Sequence, residues 1–168
     1  MFKGVFKAVN KLLKDQGATL PYPEEPPDFN LSYTREQLLQ KFFVKYFISE
    51  AHWDFWKTVT IVIDKTITYP AGMVSETKTL LIRPEYTNPG VLAHEFSHLS
   101  YAQLNETQKA YFPQDYVTTM QKDGLLRLLY SQKPEMNKSI IETHAEIFRY
   151  LGIKMPEALK KYYPRLIG

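Results

Sequence analysis

Between Leu20 and Pro27 the chain reads Leu-Pro-Tyr-Pro-Glu-Glu-Pro-Pro, with four prolines in the seven positions 21–27. Proline has no backbone N–H and a φ locked near about −65°, so this stretch is excluded from helix and from any central strand and must run extended. It divides the chain into an N-terminal segment, residues 1–20, a Pro-rich linker over 21–33, and a body over 34–168. A body of that length is one domain with one core.

Composition narrows the classes further. With 44% hydrophobic and 23% charged residues the chain can bury a sizeable core, which excludes disorder. It has no cysteine and four histidines. A disulfide scaffold, a thiolate metal site and a cysteine nucleophile are therefore out, and any metal must be held by His, Asp or Glu. A net charge of +3 is too small to argue for nucleic acid. No stretch has the unbroken apolar length of a membrane span, and Lys3, Lys7, Lys11 and Lys14 interrupt any signal-peptide core, so an intracellular, cytoplasmic protein is expected.

Periodicity predicts the elements. Phe2, Val5, Phe6, Val9, Leu12 and Leu13 fall at helical spacing, giving a basic amphipathic helix ahead of the linker. Thr34 with Gln37 is a capping box for a helix whose apolar face is Leu38, Leu39, Phe42, Phe43, Tyr46 and Phe47. Strands are expected within 56–64, 66–69 and 78–83, with a turn at Pro70-Ala71-Gly72. Helices follow over about 88–104, 115–130 and 137–151, and at most a short one in 156–163. Helices, then strands, then helices make an α+β fold.

The third of these helices contains His94-Glu95-Phe96-Ser97-His98. At this chain's own residue frequencies a His-Glu-x-x-His arises by chance roughly once in 150 such chains, so the match is specific. Histidines four apart lie one turn above each other and can share one ion, and Glu95 projects about 80° from them, placed to act on the ion's open side without binding it. Leu92, Phe96 and Leu99 form the apolar stripe, about 145° away from the two imidazoles. A catalytic zinc takes three protein ligands, and the third must come from Glu135, Glu142, His144, Glu146 or His52. The densest cluster is Glu142-Thr143-His144-Ala145-Glu146. Glu142 and His144 point about 160° apart, so only one of them can serve. His144 lies on the apolar face with Ile140, Ile141, Ile147, Phe148 and Leu151.

His94-Glu95-Phe96-Ser97-His98 followed by Glu142-Thr143-His144-Ala145-Glu146 resembles the gluzincin zinc metallopeptidases, especially the compact minigluzincins. The resemblance covers roughly residues 56–152. It implies a zincin-like domain whose small, mostly antiparallel sheet packs on an active-site helix and a glutamate helix. It also implies one Zn2+ per chain held by His94, His98 and Glu142, Glu95 as general base, and Glu146 in the place of the family's usual aspartate, behind a ligating imidazole. Zinc-dependent hydrolysis of a peptide or protein substrate is the implied function, and a non-hydrolytic metal-binding regulatory protein is the alternative.

Three further expectations complete the reading. The strand at Thr79, Leu80 and Leu81 precedes the motif helix as the substrate-binding edge strand does in gluzincins, so extended peptide would add to it. An oxyanion-stabilising tyrosine is sought among Tyr101, Tyr111, Tyr116 and Tyr150, out of twelve tyrosines in all. The N-terminal helix has three roles open to it: packing on the domain, peripheral membrane contact through residues 1–15, or a pro-segment over the cleft, since compact gluzincins can be latent.

Overall fold

A computed structural model describes residues 19–168. The amphipathic helix expected before residue 19 lies outside the described residues.

Thr34 closes its capping box: its side chain accepts from the Gln37 N–H, and the Gln37 side chain accepts from the Thr34 N–H. That starts α1 (Arg35–Lys45), which buries Leu38, Leu39, Phe42 and Phe43. A helix not expected from the sequence, α2 (Glu50–Lys57), follows, capped by Ser49 and burying Trp56 against Phe96 at a ring separation of 4.3 Å. The strand expected within 56–64 is thereby trimmed to β1 (Thr60–Ile63).

Residues 66–69 are not a strand. Asp64 accepts from the Thr66 backbone N–H and hydroxyl, and the Arg83 guanidinium donates to the carbonyls of Lys65 and Ile67, both at 2.6 Å, so the backbone groups of this loop are satisfied outside any ladder. The chain becomes β2 at Ala71–Val74, where a turn was expected. Gly72 fits there because a Cβ at that position would come within 3.2 Å of the Tyr69 ring. β3 (Thr79–Ile82) then closes a three-stranded sheet of order β1-β3-β2.

The sheet is mixed rather than mostly antiparallel: β1 pairs parallel with β3, while β2 pairs antiparallel with it. The expectation that Thr79, Leu80 and Leu81 form an open edge is corrected accordingly. Each residue of β3 has a partner on both sides, as Thr79 does with Thr60 and Val74, so the strand has no free edge to offer a peptide. Leu80 and Ile82 are fully buried under it. The edge on the side of the motif helix is β2.

α3 (Pro89–Ala102) starts as its sequence predicts, with Asn88 accepting from the Val91 N–H and Pro89 in the first turn. The helix expected over 115–130 is two helices. α4 (Glu106–Met120) continues through Pro113, and Asp123 caps a new start for α5 (Gly124–Gln132) by accepting from the Leu126 N–H. A 3-10 turn over Pro134–Lys138 leads into α6 (Ile140–Leu151), and α7 (Glu157–Lys160) is the short helix of the tail. The fold is α+β. α3 and α6 make the most extensive contact between any two of these elements, with Phe96 and Phe148 meeting Phe42 of α1 in the core.

The Pro-rich stretch is extended and free of helix, yet it is a strap laid on the body. The Tyr22 N–H donates to the Tyr150 carbonyl, its ring stacks on Tyr46 at 4.5 Å, and the Asp28 N–H donates to the Glu85 carbonyl. Lys133 pairs with Glu24, and Lys45 with Glu25. Among the described residues no helix is long and apolar enough to cross a membrane.

Candidate metal centre

The motif helix and the glutamate helix meet face to face. On α3, Leu92 and Phe96 are fully buried and Leu99 nearly so, which turns His94 and His98 toward α6, with side chains 12% and 16% exposed. On α6, Ala145, Ile147, Phe148 and Leu151 take the core, leaving Glu142 and Glu146 on the side of the histidines. His94 Nε2 lies 3.2 Å from one Glu142 carboxylate oxygen and His98 Nε2 lies 3.3 Å from the other. Ligand atoms of His94, His98 and Glu142 fall within 4.8 Å of one another, so the three can hold one metal ion.

Packing brings Glu142, and not His144, to the two histidines. His144 is fully buried on the far face of α6, where its Nε2–H donates to the Tyr162 carbonyl at 2.6 Å and its ring stacks on Tyr163 at 4.0 Å. Burial pulls its pKa down to about 3, against the hydrogen bond to Tyr162, so it is a neutral core histidine. His52 is also remote, its Nε2 against the Gly168 carbonyl at 2.9 Å, and Glu135 stands exposed in the 3-10 turn.

Glu146 reaches the outer nitrogen of His94, 3.2 Å from Nδ1, and so fixes that ring's orientation with Nε2 toward Glu142. His98 has no matching support: its Nδ1 is buried without a partner among the described residues. The electrostatics follow from this crowding. Burial lowers the His94 pKa, but hydrogen bonds to Glu142 and Glu146 outweigh it and raise it to about 9. The same contacts, with His94 and then His98, hold the Glu142 carboxyl far below its usual range. Glu95, 7% exposed, has its pKa raised by burial, with the nearby histidines pulling the other way.

Beside His94 a cavity of about 610 Å3 is walled by His94 and Glu95 of α3, Ala71 at the start of β2, Tyr86, Arg149 of α6 and the strap residues 24–27. A larger hollow of about 1060 Å3 lies across the strap, between residues 25–33 and α1, and contains no ionisable group of the motif. Of the two, the smaller is the one lined by residues of the motif, His94 and Glu95.

None of the four tyrosines expected at the cleft lines it. Tyr101 packs on His144, Tyr111 is largely exposed, Tyr116 donates to Asn137, and Tyr150 is buried under Lys133 and Arg149. Tyr86 and Arg149 line it instead. Arg149 carried a readable signal, since it follows Glu142 by two helical turns and so shares its face. The chain matches no protein-family model, no curated protein and no solved structure.

Proposed function

We propose that this chain is a zinc-dependent peptidase with a zincin-like active site, in which His94, His98 and Glu142 hold the ion and Glu95 is the general base. The observation that supports this most is the convergence of three ligand atoms from α3 and α6 beside a cavity that Glu95 also lines. The donor set suits zinc: two imidazole nitrogens and one carboxylate, with nitrogen–oxygen separations of 3.2 and 3.3 Å. Ligands of a tetrahedral ion bound at ~2.0–2.1 Å stand ~3.3–3.4 Å apart. No sulfur competes in a chain without cysteine.

His94, His98 and Glu142 would hold the ion, which when bound would supply Lewis acidity toward a water, whose pKa it would bring to ~7, and a carbonyl. The chain's own groups do the rest. Glu95 takes the water's proton and delivers it to the departing amine; its burial, which raises its pKa, suits a group that must both accept and give. Glu146 keeps the His94 ring in register. Extended substrate is received along β2, the edge strand whose Ala71 lies in the same cavity.

The strap over residues 24–27, which narrows this cavity, favours a second reading: a metal-binding regulatory protein that turns over no peptide. One experiment separates the two. The zinc-loaded full chain should hydrolyse a denatured protein or peptide mixture, and Glu95→Gln should keep about one zinc per chain while losing activity by at least about a hundredfold. Hydrolysis undiminished in Glu95→Gln removes the general base. Zinc binding without hydrolysis in the wild type selects the regulatory reading.

A further inference from the structure

Arg149 sits seven residues after Glu142 on α6, on the face that carries Glu142 and Glu146, and it lines the cavity that His94 and Glu95 share. Its Nε lies against the first turn of α3, 3.7 Å from where a side chain on Gly90 would begin, one turn before His94. Among the described residues its guanidinium makes no ion pair and donates no hydrogen bond, even though three acids, Glu24, Glu25 and Glu95, share the cavity wall. Glu24 is engaged by Lys133 Nζ at 2.6 Å and Glu25 by Lys45, while Glu95 feels the Arg149 charge across the cavity without forming an ion pair with it. The Tyr150 ring, 5.2 Å from the guanidinium carbon, supports the arginine without neutralising it.

A half-buried arginine that forms no ion pair, set in a cavity next to a metal-binding face, is a receptor for a carboxylate: a planar fork of donors suits two oxygens at once. We infer that Arg149 anchors the C-terminal carboxylate of the peptide substrate, and that the enzyme removes a short fragment from peptide C-termini. The inference rests on the peptidase reading above. A cavity of about 610 Å3 lies in the range that encloses a ligand of a few residues.

The step balances as an ordinary hydrolysis. The water oxygen forms a bond to the scissile carbonyl carbon, the C–N bond breaks, and Glu95 passes the water's proton to the amine. The departing fragment leaves with that new amine and with its original carboxylate on Arg149. The remaining peptide gains a new carboxylate.

The test uses the zinc-loaded full chain carrying Glu95→Gln, so that binding is read without turnover. A degenerate hexapeptide library with free C-termini and the same library with C-terminal amides are compared by equilibrium dialysis and mass spectrometry. Free carboxylates should be retained at least about tenfold better. Adding Arg149→Gln should bring the two libraries to within about twofold, and Arg149→Lys should restore part of the preference, since charge without the fork recovers only part of the contact. Equal retention of the two libraries, or no retention of either, overturns the anchor. So does a preference that survives Arg149→Gln, or amidated peptides with internal Asp or Glu binding as well as free C-termini. If the preference holds while the wild-type chain cuts neither library, the anchor stands and the peptidase reading falls. The comparison of the two libraries on Glu95→Gln alone needs no Arg149 variant to fold.

Discussion

In the metal-free chain protonated His94 donates from both ring nitrogens, Nε2–H to Glu142 and Nδ1–H to Glu146, and that arrangement keeps the ring charged until about pH 9. A metal that binds Nε2 must displace the proton held there. Apparent zinc affinity should therefore rise about tenfold per pH unit from 7 toward 9 and flatten above, as a competition against a chromophoric chelator would show. Equal affinity at pH 7 and pH 9 would contradict a His94 held protonated by the two carboxylates. The same shift makes the metal-free fold lose stability as pH rises: the folded value lies above the unfolded 6.5, so the contribution is complete below 6.5 and gone above about 9.

At this scale much was legible. Histidine spacing identified the pair, and the helical wheel separated Glu142 from His144, but a wheel has no reference direction. Which of the two faces α3 depends on how α6 docks, a long-range fact. The Tyr162 and Tyr163 environment of His144 comes from the tail of the chain and has no local signature.

Among the elements, those with strong local punctuation were readable. Thr34 with Gln37 and Asn88 with Pro89 place the starts of α1 and α3 where they are found. The strand order was not readable, because pairing is non-local. One clue lay in Leu80-Leu81-Ile82, whose continuous apolar run suits a strand flanked on both sides better than an edge. The break between α4 and α5 at Asp123-Gly124 was also marked, by a cap followed by glycine.

Gly152, which ends α6, joins an element to the strap. It has φ +53°, and a Cβ there would stand 2.4 Å from the Tyr22 ring. Gly152→Ala should destabilise the chain by roughly 1–3 kcal/mol, through the left-handed backbone and the displaced ring together. Gly124, at the start of α5, has nothing nearer than 4.0 Å, and Gly124→Ala should be neutral or stabilising by up to about 1 kcal/mol. Urea unfolding of both variants is the measurement, and equal tolerance would mean that Tyr22 does not pack on Gly152.

For the whole molecule the proline run has a larger part than that of a spacer. It fixes Tyr22 on α1 and the end of α6 and makes residues 24–27 one wall of the cavity next to His94 and Glu95. The extended path was dictated by the prolines, whereas its landing place was set by Tyr22, Glu24 and Glu25, whose partners lie on α1, α6 and residue 133.

The most direct test of the central claim is anomalous diffraction at the zinc edge from crystals of the full chain grown with zinc. One zinc per chain is expected, bound by His94 Nε2, His98 Nε2 and a Glu142 carboxylate oxygen, with His144 still on the Tyr162 carbonyl. No zinc at this position, or zinc bound by His144 in place of Glu142, would contradict it.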